Sequence, residues 1–335
     1  MSSLPLGKLD PDHLERLLSR YAPANERVII GPGVGEDAAV IDFGDRYLVV
    51  KTDPITFATD EIGWYVVNVN ANDIAAMGAT PRWFLATILL PEARTTPALV
   101  DTIFAQIGSA CTALGVGFVG GHTEITYELS RPIVVGQMLG EVAKEDLVMT
   151  AGAQPGDVLL LTKGLGIEAT AIIAREKEDQ LAGRLSAEEI ERAKRFLHDP
   201  GISVVRDAVV ATAAGHVHAM HDPTEGGLAT GLHEVAQAAG VGLVLDRQAV
   251  PIDPLTEILC QVFDLNPLGV IASGALVLAV NAADAGVIVA ALREAGIEAA
   301  RIGEVWGKER GIKMRDGEAL VDLPIFPQDE ITRLF

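Results

Sequence analysis

Asn68-Val69-Asn70-Ala71-Asn72-Asp73-Ile74-Ala75-Ala76-Met77-Gly78 sets three carboxamides and one carboxylate among apolar neighbours. The surrounding pattern predicts a helix over roughly residues 62–77. On such a helix Asn68 and Asn72 are four apart, and Asn70 and Asp73 three apart, so each pair projects together. Buried polar groups need partners, and this many on an apolar helix are expensive to bury alone. A surface turned toward a ligand is the simpler explanation. The competing one is a polar network between packed elements.

Working outward, Tyr47 to Thr52 reads as a strand that ends on Thr52-Asp53. Upstream lies Gly31-Pro32-Gly33-Val34-Gly35-Glu36-Asp37, a turn able to present N–H groups to an anion beside an acidic pair able to hold a cation. Downstream, strands are predicted at 83–90, 117–120 and 133–142, and a helix over 97–114. Gly120-Gly121-His122-Thr123-Glu124 adds paired glycines and polar side chains to the end of a strand. A turn at 153–157 suggests two α+β units, 1–152 and 153–335. In the second unit, strands are expected at 158–162, 242–245, 274–280 and 298–305. Helices are expected at 167–175, 203–213, 228–239 and 283–295, with a charged, exposed helical excursion over 176–195. Asp222-Pro223-Thr224-Glu225-Gly226-Gly227 precedes one of these helices, whose N-terminus would suit a phosphate or carboxylate. A simple helix cap by Asp222 or Thr224 fits the same residues.

The chain of 335 residues is 49% hydrophobic and only 5% aromatic, enough for two packed cores. Forty-six acidic against 26 basic residues give a net charge of −20, which disfavours nucleic acid as a partner. No apolar run approaches a membrane span and the first residues do not resemble a signal peptide, so the expected compartment is the cytosol. The two cysteines, Cys111 and Cys260, lie far apart in apolar segments and read as packing residues. His216, His218 and His221 raise a transition-metal site as a further possibility, although nothing else in the sequence completes it. Walker A, GxSxG and HExxH patterns are missing, so nucleotide use would need another phosphate-binding scheme.

Taken together and in this order, the segments resemble the aminoimidazole ribonucleotide synthetase (PurM-like) superfamily. Its branches include HypE-type hydrogenase-maturation proteins, thiamine-monophosphate kinase and selenophosphate synthetase. The resemblance implies a mixed α/β, two-domain fold, a homodimer formed through the N-terminal sheet, and ATP with Mg²⁺ held between the domains. It places Asp37, Asp53 and Asp73 on Mg²⁺. Gly33, Gly35, Glu36, Thr52, Asn72, Gly120, Gly121, His122 and Thr123 would surround the nucleotide. Asp222, Thr224 and Lys163 would face a small-molecule acceptor. DPTEGGL at 222–228 is similar to the HypE DPTRGGL, and Lys163-Gly164-Leu165-Gly166 resembles the same branch. His122 stands where an Asp is frequent, with Glu124 as a possible substitute. The last residues, Thr332-Arg333-Leu334-Phe335, carry no cysteine, so transfer of a carbamoyl group to a tail thiol is not expected. The implied activity is phosphoryl transfer to an amide-type or other small acceptor, with a maturation protein as a possible partner. Thiamine-monophosphate kinase, a nucleotide-binding scaffold and a metal chaperone are the alternatives.

Overall fold

A computed structural model describes residues 9–33, 37–56 and 60–335. The first half builds a sheet from β1 (Val28–Ile30), β2 (Ala39–Asp42), β3 (Arg46–Ile55), β4 (Thr80–Pro91), β5 (Gly117–Thr126) and β6 (Ile133–Ala143). Its order is β1-β2-β3-β6-β4-β5, antiparallel except for the β4–β5 pair. Helices α1 (Pro11–Tyr21), α2 (Ile62–Ala76) and α3 (Pro97–Leu114) accompany it. Asp10 caps α1 by accepting from the His13 N–H, and Thr96 caps α3 through Leu99, each just before a proline.

The second half carries β7 (Val158–Thr162), β8 (Val217–His221), β9 (Gly242–Asp246), β10 (Val277–Val280), β11 (Ala299–Trp306), β12 (Ile312–Asp316) and β13 (Ala319–Asp322). They are ordered β13-β12-β9-β11-β7-β10-β8. Around them lie α4 (Ile167–Glu176), α5 (Glu178–Leu181), α6 (Ala187–Arg195), α7 (Val205–Ala214), α8 (Gly227–Ala239), α9 (Pro254–Val262) and α10 (Ala285–Glu294). The charged 176–195 stretch is less exposed than expected. It folds as α5 and α6, with Leu181, Ile190 and Ala193 buried in the core.

Helix α2 decides how the halves meet. Every residue in it except Trp64 is buried, so it has no solvent face. It lies against β6 through Gly136 and Gly140, where a Cβ would sit 2.4 Å from the Asn70 amide and 2.3 Å from Ile74. On the other side, Ala75 and Ala76 join Leu160, Val204 and Leu278 in a core of the second half. A further cluster runs from Val66, Ile74 and Phe84 through to Ile172, Leu197 and Leu259, so apolar packing is continuous across the seam. Side-chain contacts cross it as well. Arg175 pairs with Asp60, and the Trp64 and His198 rings lie 4.7 Å apart.

Helix α3 has the length and composition to cross a bilayer, but it buries Ile103, Ile107, Ala110 and Cys111 within the fold.

Candidate active site at the seam

Asp37 precedes β2, Asp73 sits in the last turns of α2, and Asp222 follows β8 from the other half. Their carboxylate oxygens lie within 4.8 Å of one another and all three residues are buried. Among the described residues, Asp73 Oδ2 and both oxygens of Asp222 have no hydrogen-bond partner. Burial raises the pKa of Asp73 and of Asp222, and the neighbouring carboxylates push both further in the same direction. Three such groups cannot all be anionic at this separation without positive charge between them. The donor set is all oxygen, with free lone pairs aimed into the cluster, and it fits a hard divalent cation such as Mg²⁺.

Two basic side chains flank the trio. Lys51 Nζ lies 2.8 Å from Asp73 Oδ1 and 3.3 Å from Asp53 Oδ2. Burial opposes the charge on Lys51, but the Asp73 and Asp53 carboxylates outweigh it and raise the pKa. His221 Nδ1 lies 2.7 Å from Asp37 Oδ1, and its Nε2 is 3.0 Å from Glu234 Oε2. The first contact is an ion pair approached off the ring N–H direction rather than an aligned hydrogen bond. Burial disfavours the imidazolium, yet the Asp37 and Glu234 carboxylates carry its pKa well upward. Sequence reasoning did not single out Lys51, and it reached His221 only as one of the three clustered histidines. A lysine inside the apolar Val49-Val50-Lys51 strand was the available signal for the first.

Other candidates fall differently. Asn70 and Asn72 serve the fold. Asn70 accepts from the Asp53 N–H at 2.8 Å and donates to the Val66 and Asp53 carbonyls. Asn72 donates to Ile202 O and accepts from Val204 N, both at 2.8 Å, so its amide bridges the halves and is not turned toward a nucleotide. This is the polar-network alternative, realised for two of the four residues. Asp53 lies outside the trio, paired with Lys51. Thr52 donates its hydroxyl to Gly136 O at 2.8 Å.

Lys163, in the left-handed backbone region, donates to Gly201 O and Ser203 O and lies 3.4 Å from Asp207. Burial lowers its pKa, an effect Asp207 partly offsets. Two carbonyls thus take two of its N–H groups, with the Asp207 carboxylate close by. Together Lys163 and Asn72 hold residues 201–204.

The start of α8 is also occupied. Gly226 N donates to Asp329 Oδ2 at 2.7 Å, so a carboxylate of this chain stands where an external anion was expected. Thr224 contributes its carbonyl to Gly227 N at 3.0 Å.

Gly120, Gly121, His122 and Thr123 lie on the exposed edge strand β5, with His122 paired to Glu124 at 3.0 Å. Sheet register nevertheless aligns them with the site, because Asp53, Gly136, Ala86 and Gly121 form one row across β3, β6, β4 and β5. Three strand spacings, about 14 Å, separate the ends of that row. Gly33 is an exposed loop residue, while Gly35 and Glu36 fall outside the described residues.

His216 pairs with Asp284 at 2.7 Å and His218 with Asp157 at 2.8 Å. With His221 on Asp37, the three rings face three different carboxylates and form no shared metal site.

One further buried group had a legible signal, an acid opening the apolar Ile167-Glu168-Ala169 helix. Burial pushes the Glu168 carboxyl up to about 8.

Two α+β halves closed over a buried trio of carboxylates define a two-domain protein of the PurM-like class. The chain belongs to the AIR synthase related family: the N-terminal domain profile of that family matches residues 35–142 and the C-terminal domain profile residues 154–314. The carbamoyl dehydratase HypE of Cupriavidus necator is 34% identical over 267 residues, covering 77% of this chain and 73% of the relative. A HypE–HypF complex structure superposes with a TM-score of 0.77 at 20% identity, covering 94% of this chain and 99% of that one. A HypE structure in complex with ATP gives 0.73 at 23% identity, covering 95% and 96%.

Proposed function

We propose that this protein is an ATP- and Mg²⁺-dependent enzyme that transfers a phosphoryl group to an amide-type or other small-molecule acceptor at the seam between residues 1–152 and 153–335. The observation that supports this most directly is the buried Asp37–Asp73–Asp222 trio with its three unpartnered oxygens. The HypE relative and the ATP complex of a HypE structure point the same way.

Phosphoryl transfer asks a protein for charge neutralisation and for in-line positioning of the acceptor. Asp37, Asp73 and Asp222 would hold Mg²⁺, which when bound supplies positive charge to the nucleotide phosphates. Lys51 balances the charge of Asp73 and fixes its orientation. Asn70 sets the backbone at Asp53, and Asn72 with Lys163 holds the 201–204 segment against α2. These contacts hold α2, which carries Asp73, against the second half. Gly33, Gly35, Glu36 and Thr52 are proposed on the phosphate side, and Thr224 on the acceptor side.

Gly120, Gly121, His122 and Thr123 lie on the exposed edge strand β5, three strands across the sheet from Asp53. A cytoplasmic homodimer joined along β5 is therefore part of the proposal. A HypF-like maturation protein is the partner to examine, since a HypE–HypF complex shares this fold.

The test is incubation with Mg²⁺, ATP and candidate carbamoyl, thiocarbamoyl and phosphate-monoester acceptors, followed by ³¹P NMR. Acceptor-dependent ADP formation that is lost in Asp73→Asn is expected. Undiminished turnover in that variant would sink the assignment.

A further inference from the structure

His221 ends β8 and immediately precedes Asp222, yet it points to a different residue of the trio. Its Nδ1 faces Asp37 Oδ1 at 2.7 Å. The other oxygen of Asp37 accepts from the Thr150 hydroxyl at 3.2 Å. Both partners come from outside the sheet that carries Asp37. A carboxylate on a short side chain has several rotamers open to it, and contacts at both oxygens select one.

The imidazole is fixed from its far side. Glu234 on α8 holds Nε2 at 3.0 Å. Gly231, one turn earlier on the same face of α8, leaves the space the ring occupies. A Cβ there would stand 3.1 Å from His221 Cδ2 and 2.8 Å from Pro223 Cβ. The ring is buried, so neither contact can be exchanged for water at little cost. The result is a Glu234–His221–Asp37 relay that enters the site from the second half and acts on a residue of the first.

We propose that His221 is a positioning residue that holds Asp37 for a divalent cation through a chain of contacts anchored on Glu234. The proposal rests on the reading of the trio as a cation site. An ion pair that merely joined the halves would contribute to stability alone. A positioning residue must also alter cation affinity, and a side chain that keeps an N–H near the place of Nδ1 must recover it.

The experiment titrates Mn²⁺ alone into the full, nucleotide-free chain and reads free Mn²⁺ by EPR, with thermal unfolding recorded in parallel. Wild type is expected to bind one ion, with affinity lost in Asp73→Asn. His221→Leu should weaken binding about 10–100-fold, the range for partners that orient metal ligands. His221→Asn, whose amide N–H can face Asp37, should recover most of that loss, and Glu234→Gln should fall between. Wild-type affinity in a folded His221→Leu overturns the proposal while leaving the cation site intact. If His221→Leu does not fold, Glu234→Gln decides, and unchanged Mn²⁺ affinity in it is equally fatal. Wild type that binds no Mn²⁺, or binds it regardless of Asp73, overturns the cation site itself and this proposal with it.

Discussion

Lys51 Nζ stands 2.8 Å from Asp73 Oδ1, joining the middle of β3 to the last turns of α2. The ammonium is the first compensating charge Asp73 meets, and it is supplied by the strand whose next members are Thr52 and Asp53. Removing one partner of a buried ion pair leaves the other uncompensated. Lys51→Met should lower unfolding stability by roughly 2–4 kcal/mol without added cation. Urea denaturation with and without Mg²⁺ checks this. Mg²⁺ is expected to restore part of the loss, because it would offset the same carboxylate.

Glu168 gives a stability profile of definite sign. Its carboxyl is pushed up to about 8 in the folded protein, against an ordinary 4.5. Between those values the folded state keeps a proton that the unfolded state has released. Stability is therefore greatest at low pH with respect to this group and falls as pH rises from about 4.5 to about 8. Glu168→Gln should flatten that slope and be more stable than wild type at pH 9 by roughly 3–5 kcal/mol. Equal slopes for the two proteins in urea unfolding at pH 5, 7 and 9 would show that Glu168 is not held protonated.

Strand β5 presents Phe118, Val119 and Ile125 to the outside along an edge with no neighbouring strand among the described residues. Exposed apolar edge strands invite pairing. Light scattering at micromolar concentration should give a dimer, and Ile125→Lys should weaken association at least about tenfold by placing charge in the interface. A monomeric wild type that still binds Mg²⁺-ATP fully would remove β5 from the site.

The thiols should be inert. Burial pushes Cys111 up to about 11 and Cys260 up to about 12, so almost no thiolate exists near neutrality. Incubation with ATP, Mg²⁺ and a carbamoyl-transferase partner should leave both unmodified by intact-mass measurement. A stoichiometric adduct on either would reverse this view.

Much of the scaffold was readable because its periodicities are strong. Helices α2 and α3 and strands β3, β4, β6 and β7 follow directly from their apolar patterns. The strands β1, β2, β8, β12 and β13 and helix α9 did not stand out in the sequence. The histidines of Val217 to His221 obscured a strand, and the short β12–β13 pair alternates weakly.

In the site, the sequence singled out Asp37, Asp73 and Asp222 without showing that they converge. That depends on how α2 is rotated and on where the second half docks. The same limit hid the division of labour along α2. Asn70, Asn72 and Asp73 look equivalent in sequence, but only Asp73 turns to the trio while the amides fasten backbone. His221 was legible only as a member of a histidine cluster, since its partners Asp37 and Glu234 are fixed by tertiary packing.

The burial of α2 on every side also bears on how the chain is made. Ala75 and Ala76 share a core with Ala208 and Ala211 of α7 and Met220 of β8, which are synthesised much later. At ~5–20 residues per second, the roughly 140 residues between Ala76 and Met220 take on the order of 10–30 s to emerge from a ribosome. During that interval the nascent first half exposes the apolar end of α2, a surface suited to chaperone capture. Ribosome-bound chains stalled before residue 160 should therefore be held by chaperones, and chains extended past residue 290 should be released.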